Sequence, residues 1–304
     1  MGTIVMTGAT SFLGRNVLQK LLEQGNEVYA LVRPQSKNLS LLPEHSKLHF
    51  IYGSMENVAD IKENTARADS FLHFAWDGSG NQGRADHEMQ TKNVEYSLKA
   101  LELAHNLHCK KFIFSGSQAE YGKKRERITE EMECSPISEY GIAKLNFSRE
   151  AEQYCKNKEI KFIHLRIFSV YGCGDRENTL VDACVKKFNF GGLMKLGPCL
   201  QKWNYLNIKD FANIVYHFLE SDVSGGIYNV ASEDTRILRE FVKEIYELSN
   251  KSGRYEFGKE ADNPEGSPEL NADIQKMKNA TGYQEEIDFR QGILEIMEQM
   301  KKEG

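Results

Sequence analysis

No apolar run in this 304-residue chain approaches the roughly 18 residues needed to cross a bilayer. The N-terminus passes at once into Thr3-Ile4-Val5-Met6, with neither the basic region nor the cleavage site of a signal peptide. Gly2 opens the chain as a myristoylation site would, but Met6 stands where that motif wants Ser or Thr. The six cysteines, Cys109, Cys134, Cys155, Cys173, Cys184 and Cys199, form no CxxC and show no ligand-like spacing with histidine. Neither a disulfide framework nor a metal site is expected, and the thiols read as those of a reduced, cytoplasmic protein. Excess positive charge is missing as well. The formal charge is -5 with a pI near 6.0, which gives no electrostatic ground for a nucleic-acid partner. The basic cluster Lys123-Lys124-Arg125-Glu126-Arg127 is broken by an acid and reads as a solvated loop.

What is present is ordinary globular composition, 40% hydrophobic and 27% charged, enough for one large core or a main lobe with a smaller one. Through the first half, short β-rich apolar runs at 3–7, 27–32, 48–52, 70–75, 111–115 and 160–167 alternate with helical spacing at 12–23, 86–107 and 139–156. Several runs are apolar on both faces, as in a parallel sheet covered on each side. The alternation predicts an α/β fold, a Rossmann-like doubly wound sheet occupying residues 1–170. Beyond about 170 the rhythm is broken by Gly191-Gly192, Gly197-Pro198, Gly225-Gly226 and the loop Asn263-Pro264-Glu265-Gly266-Ser267-Pro268. Residues 171–304 read mainly as a smaller C-terminal substrate-binding lobe, with about 206–232 returning to the first domain and an amphipathic helix at about 289–301.

The first strand leads through Thr7-Gly8-Ala9-Thr10-Ser11-Phe12-Leu13-Gly14 straight into a helix. Such a turn lets backbone N–H groups meet a pyrophosphate at a helix N-terminus, and Gly14 lets the helix pack closely on the strand. At the end of the second strand, Leu31-Val32-Arg33-Pro34 offers no carboxylate for ribose hydroxyls but one arginine suited to a 2′-phosphate. NADP is therefore the preferred cofactor on this reading, with NAD the alternative. Tyr140-Gly141-Ile142-Ala143-Lys144 puts a phenol and an ammonium on one helix face. A phenol titrating near 10 needs such a cation to act as a base at neutral pH. Ser117, in Ser115-Gly116-Ser117-Gln118-Ala119-Glu120-Tyr121-Gly122 at a strand's carboxyl end, is placed to hydrogen-bond the reacting oxygen while Tyr140 moves the proton.

Taken together, the glycine loop, the strand-end serines and YxxxK resemble the extended short-chain dehydrogenases/reductases of the NAD-dependent epimerase/dehydratase type. Ser11 replaces the middle glycine of their TGxxGxxG loop. The resemblance runs nearly the whole chain. Phe71-Leu72-His73-Phe74-Ala75 resembles the fourth-strand motif along the cofactor, and Asn93 stands where the family carries a structural or proton-relay Asn. Leu165-Arg166-Ile167-Phe168-Ser169-Val170-Tyr171-Gly172 resembles the segment entering the substrate lobe.

The resemblance implies catalysis by Ser117, Tyr140 and Lys144. It implies cofactor contacts from Gly8, Thr10, Ser11, Phe12, Leu13, Gly14, Arg33, Phe74, Ala75, Trp76, Asn93, Ser115, Tyr140, Lys144, Phe168 and Val170. Substrate contacts would come from Trp76, Gln118, Ser169, Lys202 and Trp203.

Most such enzymes act on nucleotide sugars as 4-epimerases, 4,6-dehydratases or 4-keto reductases. Dehydratases carry an Asp-Glu pair after the strand-end hydroxyl; Gln118-Ala119 here argues against dehydration. Ser169 and Trp203 depart from the family's diphosphate-contacting Asn and Arg, and Trp76 with the loop 77–84 departs from its usual small residues. Both tryptophans also read as packing aromatics, and Arg84 as an exposed loop arginine rather than one that reaches a phosphate. The expected activity is hydride transfer on a nucleotide sugar, as 4-keto reductase or 4-epimerase. An NADPH-dependent reductase of a small ketone or aldehyde, and a non-catalytic NADP sensor, stand as alternatives. A homodimer pairing through the helices at 86–107 and 139–156 is implied by the resemblance alone.

Overall fold

The computed structural model describes residues 1–80, 82–260 and 269–303; the loop expected at 263–268 lies outside them. The chain begins β1 (Thr3–Thr7), α1 (Phe12–Glu23), β2 (Glu27–Val32), β3 (Leu48–Tyr52), β4 (Ser70–His73), α2 (His87–Asn106), β5 (Lys111–Ser117), α3 (Glu139–Asn157) and β6 (Lys161–Ile167). It continues β7 (Val170–Tyr171), α4 (Leu180–Phe190), β8 (Leu193–Lys195), β9 (Lys202–Asn204), β10 (Leu206–Asn207), α5 (Ile208–Glu220) and β11 (Gly226–Val230). Then follow β12 (Thr235–Ile237), α6 (Leu238–Leu248), β13 (Arg254–Glu256), α7 (Gln275–Thr281) and α8 (Phe289–Glu303).

Seven strands form one sheet in the order β11-β6-β5-β4-β1-β2-β3, every neighbouring pair parallel. Alternation along β1 shows why its residues are apolar on both faces. Ile4 and Met6 enter one core with α1 and α5, while Val5 enters the other with α2 and α3. The expected doubly wound sheet is thus observed. The order reverses between β1 and β4, and at such a switch point the loops beyond the carboxyl ends diverge to leave a crevice.

A third core joins α4, α6 and α8 under the smaller lobe. Short strand pairs trim it: β7 with β10, β9 with β12 and β8 with β13. The segment 206–230 lies with the main sheet, through β11 beside β6 and α5 against α1. So does a stretch the sequence pattern did not single out. Leu270, Ala272, Ile274, Met277 and Tyr283 join the same core as α1 and α5, and Ala272 bridges to Ile128.

The switch point is pinned by a buried imidazole. His73, fully enclosed on β4, bonds Thr7 Oγ1 on β1 (2.8 Å) and Ser97 Oγ on α2 (2.8 Å). Ser97 gives its own proton to the Asn93 carbonyl, so it accepts from His73 Nε2–H. Thr7 then donates to Nδ1 while accepting from the Ala75 N–H, an assignment for the neutral ring. Burial, helped by the nearby Lys144 charge, lowers the His73 pKa to about 3. Because that value lies below the ordinary His value of 6.5, the neutral ring favours the folded state above pH 6.5 and less so as pH falls towards 3. Urea unfolding of the cofactor-free protein should show about 2 kcal/mol of this stability lost between pH 6.5 and 5. His73→Gln should be less stable at neutral pH and lack that component of the slope; an unchanged slope would show that His73 is not its source.

Candidate active site

At the β1–α1 turn, Gly8 has φ +77°, and a Cβ there would lie 2.5 Å from the Ala75 nitrogen. A Cβ on Gly14 would lie 2.1 Å from the Gly8 carbonyl oxygen. Both positions require glycine for a close approach of helix, turn and β4. Ser11, in place of the middle glycine, is the N-cap of α1, its Oγ accepting from Gly14 N–H at 3.0 Å. The departure therefore has a local role. The N–H groups that open the helix at Phe12 and Leu13 have no intrahelical partner, as a phosphate cradle requires.

Two cavities meet beside this turn. One, of about 370 Å³, is lined by Gly8, Thr10, Ser11, Arg33, Ala75 and Asn93 among others. The second, of about 590 Å³, lies over the ends of β5 and α3 and contains Ser115, Ser117, Gln118, Tyr140 and Lys144. Ser11, Asn38, Phe74 and Trp76 line both, so they form one continuous cleft. The residues present suit a dinucleotide: the glycine turn would hold its phosphates and the lining beside Tyr140 its far end.

Among the expected cofactor residues, Phe12, Leu13, Phe168 and Val170 also line the second cavity. Asn93 faces the loop after β4 from α2. Its amide oxygen accepts from Asp77 N–H (3.0 Å) and its amide nitrogen donates to the Asp77 carbonyl (2.8 Å), which fixes the loop after β4. Arg33 edges the first cavity in an exposed pair with Asp77 at 3.1 Å. Of the expected substrate residues, Trp76, Gln118, Ser169 and Trp203 line the second cavity. Lys202 is exposed and does not, since adjacent residues of β9 point to opposite faces and Trp203 takes the inward one.

Tyr140 and Ser117 face the same cavity. Burial raises the Tyr140 pKa, opposed by the nearby Ser117 hydroxyl and by the Arg84 and Arg176 charges, with Glu120 acting the other way. Lys144, one turn further along α3, is 2% exposed and donates to the Ser115 carbonyl at 2.6 Å. Its ammonium lies 3.8 Å from the Trp76 ring centre and 4.6 Å from that of Phe114. Trp76 is thus more than a packing aromatic: it is the wall of the lysine's box, oriented by Nε1–H donating to Gln90 Oε1 at 2.7 Å.

Several contributors escaped the motif reading. Glu120 is wholly buried behind Ser117. Its carboxylate accepts from Ser117 N–H (2.8 Å), from His164 Nε2 (3.0 Å) and from Arg166 Nε (3.0 Å). Burial pushes this carboxyl up, but His164, Arg166 and the Ser117 N–H together hold it below its ordinary value. It is spent on fixing the end of β5 and is not free for proton transfer in the cavity. Gly116 must lack a Cβ, which would lie 2.0 Å from His164 Nε2. Arg84 is no loose surface arginine: its guanidinium lies over the Tyr140 ring, 4.3 Å from the centre. Only the fold brings Arg84 and Glu120 to this place, so no sequence spacing signals them.

Desolvation lowers the Lys144 pKa to about 7, partly countered by Glu120. Folding therefore becomes less favourable as pH falls from the ordinary lysine value towards 7. Lys144→Met, of similar length and without the charge, should raise the melting temperature of the cofactor-free protein at pH 7, by about 1–2 kcal/mol of stability. A lower melting temperature would show that the Ser115 bond and the ring contacts outweigh desolvation.

Comparison with known proteins agrees with this geometry. The chain is 25% identical to an uncharacterised UDP-glucose epimerase of Bacillus subtilis, over 95% of each chain. It is 27% identical to the NAD(+)-dependent dTDP-6-deoxy-L-talose 4-dehydrogenase of Aggregatibacter actinomycetemcomitans, over 80% of this chain and 88% of the other. The fold superimposes on UDP-glucuronic acid 4-epimerase of Bacillus cereus, crystallised with UDP-glucuronic acid and NAD, with a TM-score of 0.84. That match has 22% identity and covers 99% of this chain and 100% of the other. Residues 4–231 match the family profile itself, and the chain belongs to the NAD dependent epimerase/dehydratase family.

Proposed function

We propose that this protein transfers hydride at C4 of a nucleotide-activated hexose, as a 4-keto reductase or a 4-epimerase. The observation that carries the reading is the convergence of Ser117, Tyr140 and Lys144 on the second cavity, with Lys144 bonded to the end of β5 where the two cavities join. When bound, the nicotinamide accepts or returns the hydride. The protein supplies the rest. Ser117 holds the sugar oxygen while the Tyr140 hydroxyl gives or takes its proton, and the Lys144 charge favours the phenolate. Gln118 and Ala119 bring no acid to a neighbouring carbon, and the Glu120 carboxylate is bound behind the strand, which argues against dehydration.

A relative named as a 4-dehydrogenase and a structural neighbour named as a 4-epimerase support action at this carbon. The size of the second cavity favours a nucleotide sugar over a small ketone. Assays against nucleotide hexoses and their 4-keto-6-deoxy forms should find one that is reduced or interconverted. Tyr140→Phe should cut that turnover by about 10²-fold or more. Net oxidation of added cofactor identifies the reductase, and interconversion without it the epimerase. If no nucleotide hexose binds, the reading fails.

NADP is proposed as the preferred cofactor on the strength of Arg33. Its exposed pair with Asp77 is of a kind worth about 0–1 kcal/mol, so a 2′-phosphate can take the carboxylate's place. Arg33→Ala should weaken NADPH about tenfold and leave NADH unchanged in fluorescence titrations, about 1.4 kcal/mol. Equal weakening of both, or of neither, would remove the preference.

A further inference from the structure

Arg84 reaches Tyr140 because the loop after β4 is folded tightly by α2. Gly78 has φ +71°, and a Cβ on Gly83 would lie 2.3 Å from the Gly78 Cα, so the chain closes on itself through two glycines. Gln90, 1% exposed on α2, holds that closure. Its amide nitrogen donates to the carbonyls of Gly83 (2.8 Å), Gly78 (3.2 Å) and Asp77 (3.4 Å), and its oxygen accepts from Trp76. The Arg84 N–H bonds the Gly80 carbonyl at 3.0 Å, and Asp86 caps α2 through Met89 N–H at 3.0 Å. Among the described residues, no carboxylate pairs with the guanidinium. It rests 4.3 Å from the Tyr140 ring centre, nearer than the Lys144 ammonium at 5.7 Å.

We propose that Arg84 is the fixed-charge partner of Tyr140, a positioning residue whose guanidinium on the face of the phenol stabilises the phenolate. The inference rests on the acid/base role proposed above for Tyr140. A cation over an aromatic face is attracted even by the neutral ring, and more so once the ring shares a negative charge. Lys144 alone is an incomplete source of that charge, because burial lowers its pKa to about 7 and leaves the amine half neutral there. Arginine keeps its charge throughout the working range. The other groups facing Tyr140 are Ser117 and Glu120 from the end of β5, Lys144 along α3, and Arg176 from the segment before α4. Ser117 and Arg176 also favour the phenolate, while Glu120 opposes it. Neighbouring Glu139 is occupied by His87 at 2.8 Å.

The test is a titration of the Tyr140 phenolate by ultraviolet absorbance in the cofactor-loaded protein. Each form is read as its difference from the matching Tyr140→Phe variant, since the chain holds 13 tyrosines. Arg84→Gln should raise the phenolate transition by about one pH unit, and Arg84→Lys should restore most of that shift. Thermal unfolding at neutral pH confirms that both variants are folded. The same displacement should appear in the pH profile of kcat/KM once a substrate is in hand. A titration unmoved by Arg84→Gln, or moved equally by both substitutions, overturns the proposal. So does a change confined to KM, which would make Arg84 a substrate contact only. The absorbance measurement needs no sugar, so it still decides the role of Arg84 if the nucleotide-sugar reading fails.

Discussion

The ammonium of Lys144 is sealed between Trp76, Phe114 and α3, with a backbone carbonyl rather than a carboxylate as its hydrogen-bond acceptor. A charge in that position opposes folding, so the surrounding structure must supply the difference. It does so through an aromatic core in which Phe114 meets Phe147 at 4.6 Å and His73 at 6.0 Å. The bond from Lys144 to Ser115 also fixes how α3 lies along β5. One helical turn back, the same register sets Tyr140 against Ser117. The lysine thus helps to place the phenol, and on the proposed reading its charge, 5.7 Å from the Tyr140 ring centre, also favours the phenolate; a destabilising group is kept because both effects depend on its burial.

A parallel sheet covered on both faces has few places for polar side chains, and those present here are concentrated where strands end in the cleft. His73 ties β1, β4 and α2 together with two neutral hydrogen bonds. Glu120, His164 and Arg166 tie the end of β5 to β6 with charged ones. The two arrangements differ in their electrical consequence. His73 stays uncharged, and beside the lysine a second cation would be costly. Glu120 stays ionised behind Ser117, where its bonds hold the backbone while its charge mildly favours protonated Lys144. Arg166 stacks on Tyr121, whose hydroxyl donates to Asn229 at 2.6 Å and so carries the same support to β11.

The sheet was legible because its signal is local: runs apolar on both faces allow little besides buried parallel strands. The glycine turn and the Tyr-Lys pair were legible because each is set by spacing within one turn or one helix; Ser117, on another element, was joined to the pair through the family resemblance. What escaped depends on contacts between distant segments. The stretch from Leu270 to Tyr283 has too short an apolar pattern to say which core it joins, yet it completes the one beneath α5. Arg84 reads as a solvated loop residue until the bonds from Gln90 are known. Lys202 and Trp203 are adjacent in sequence, and only the pleat of β9 decides which of them meets the cavity.

The loop after β4 therefore carries more of this protein's individuality than the triad does. Gly78, Gly83 and Gln90 set its shape from inside, and it delivers Trp76 to the lysine and Arg84 to the tyrosine. The same loop presents Asp77 to Arg33 at the other end of the cleft. A change in Gln90 would free the Trp76 indole and the Gly78 carbonyl and loosen the loop at Asp77 and Gly83, whose carbonyls keep Asn93 and the Asp86 N–H. The Arg33 end of the cleft, the lysine box and the phenol face meet in that one loop, held by Gln90 and Asn93, while the strands beneath remain those of the common fold.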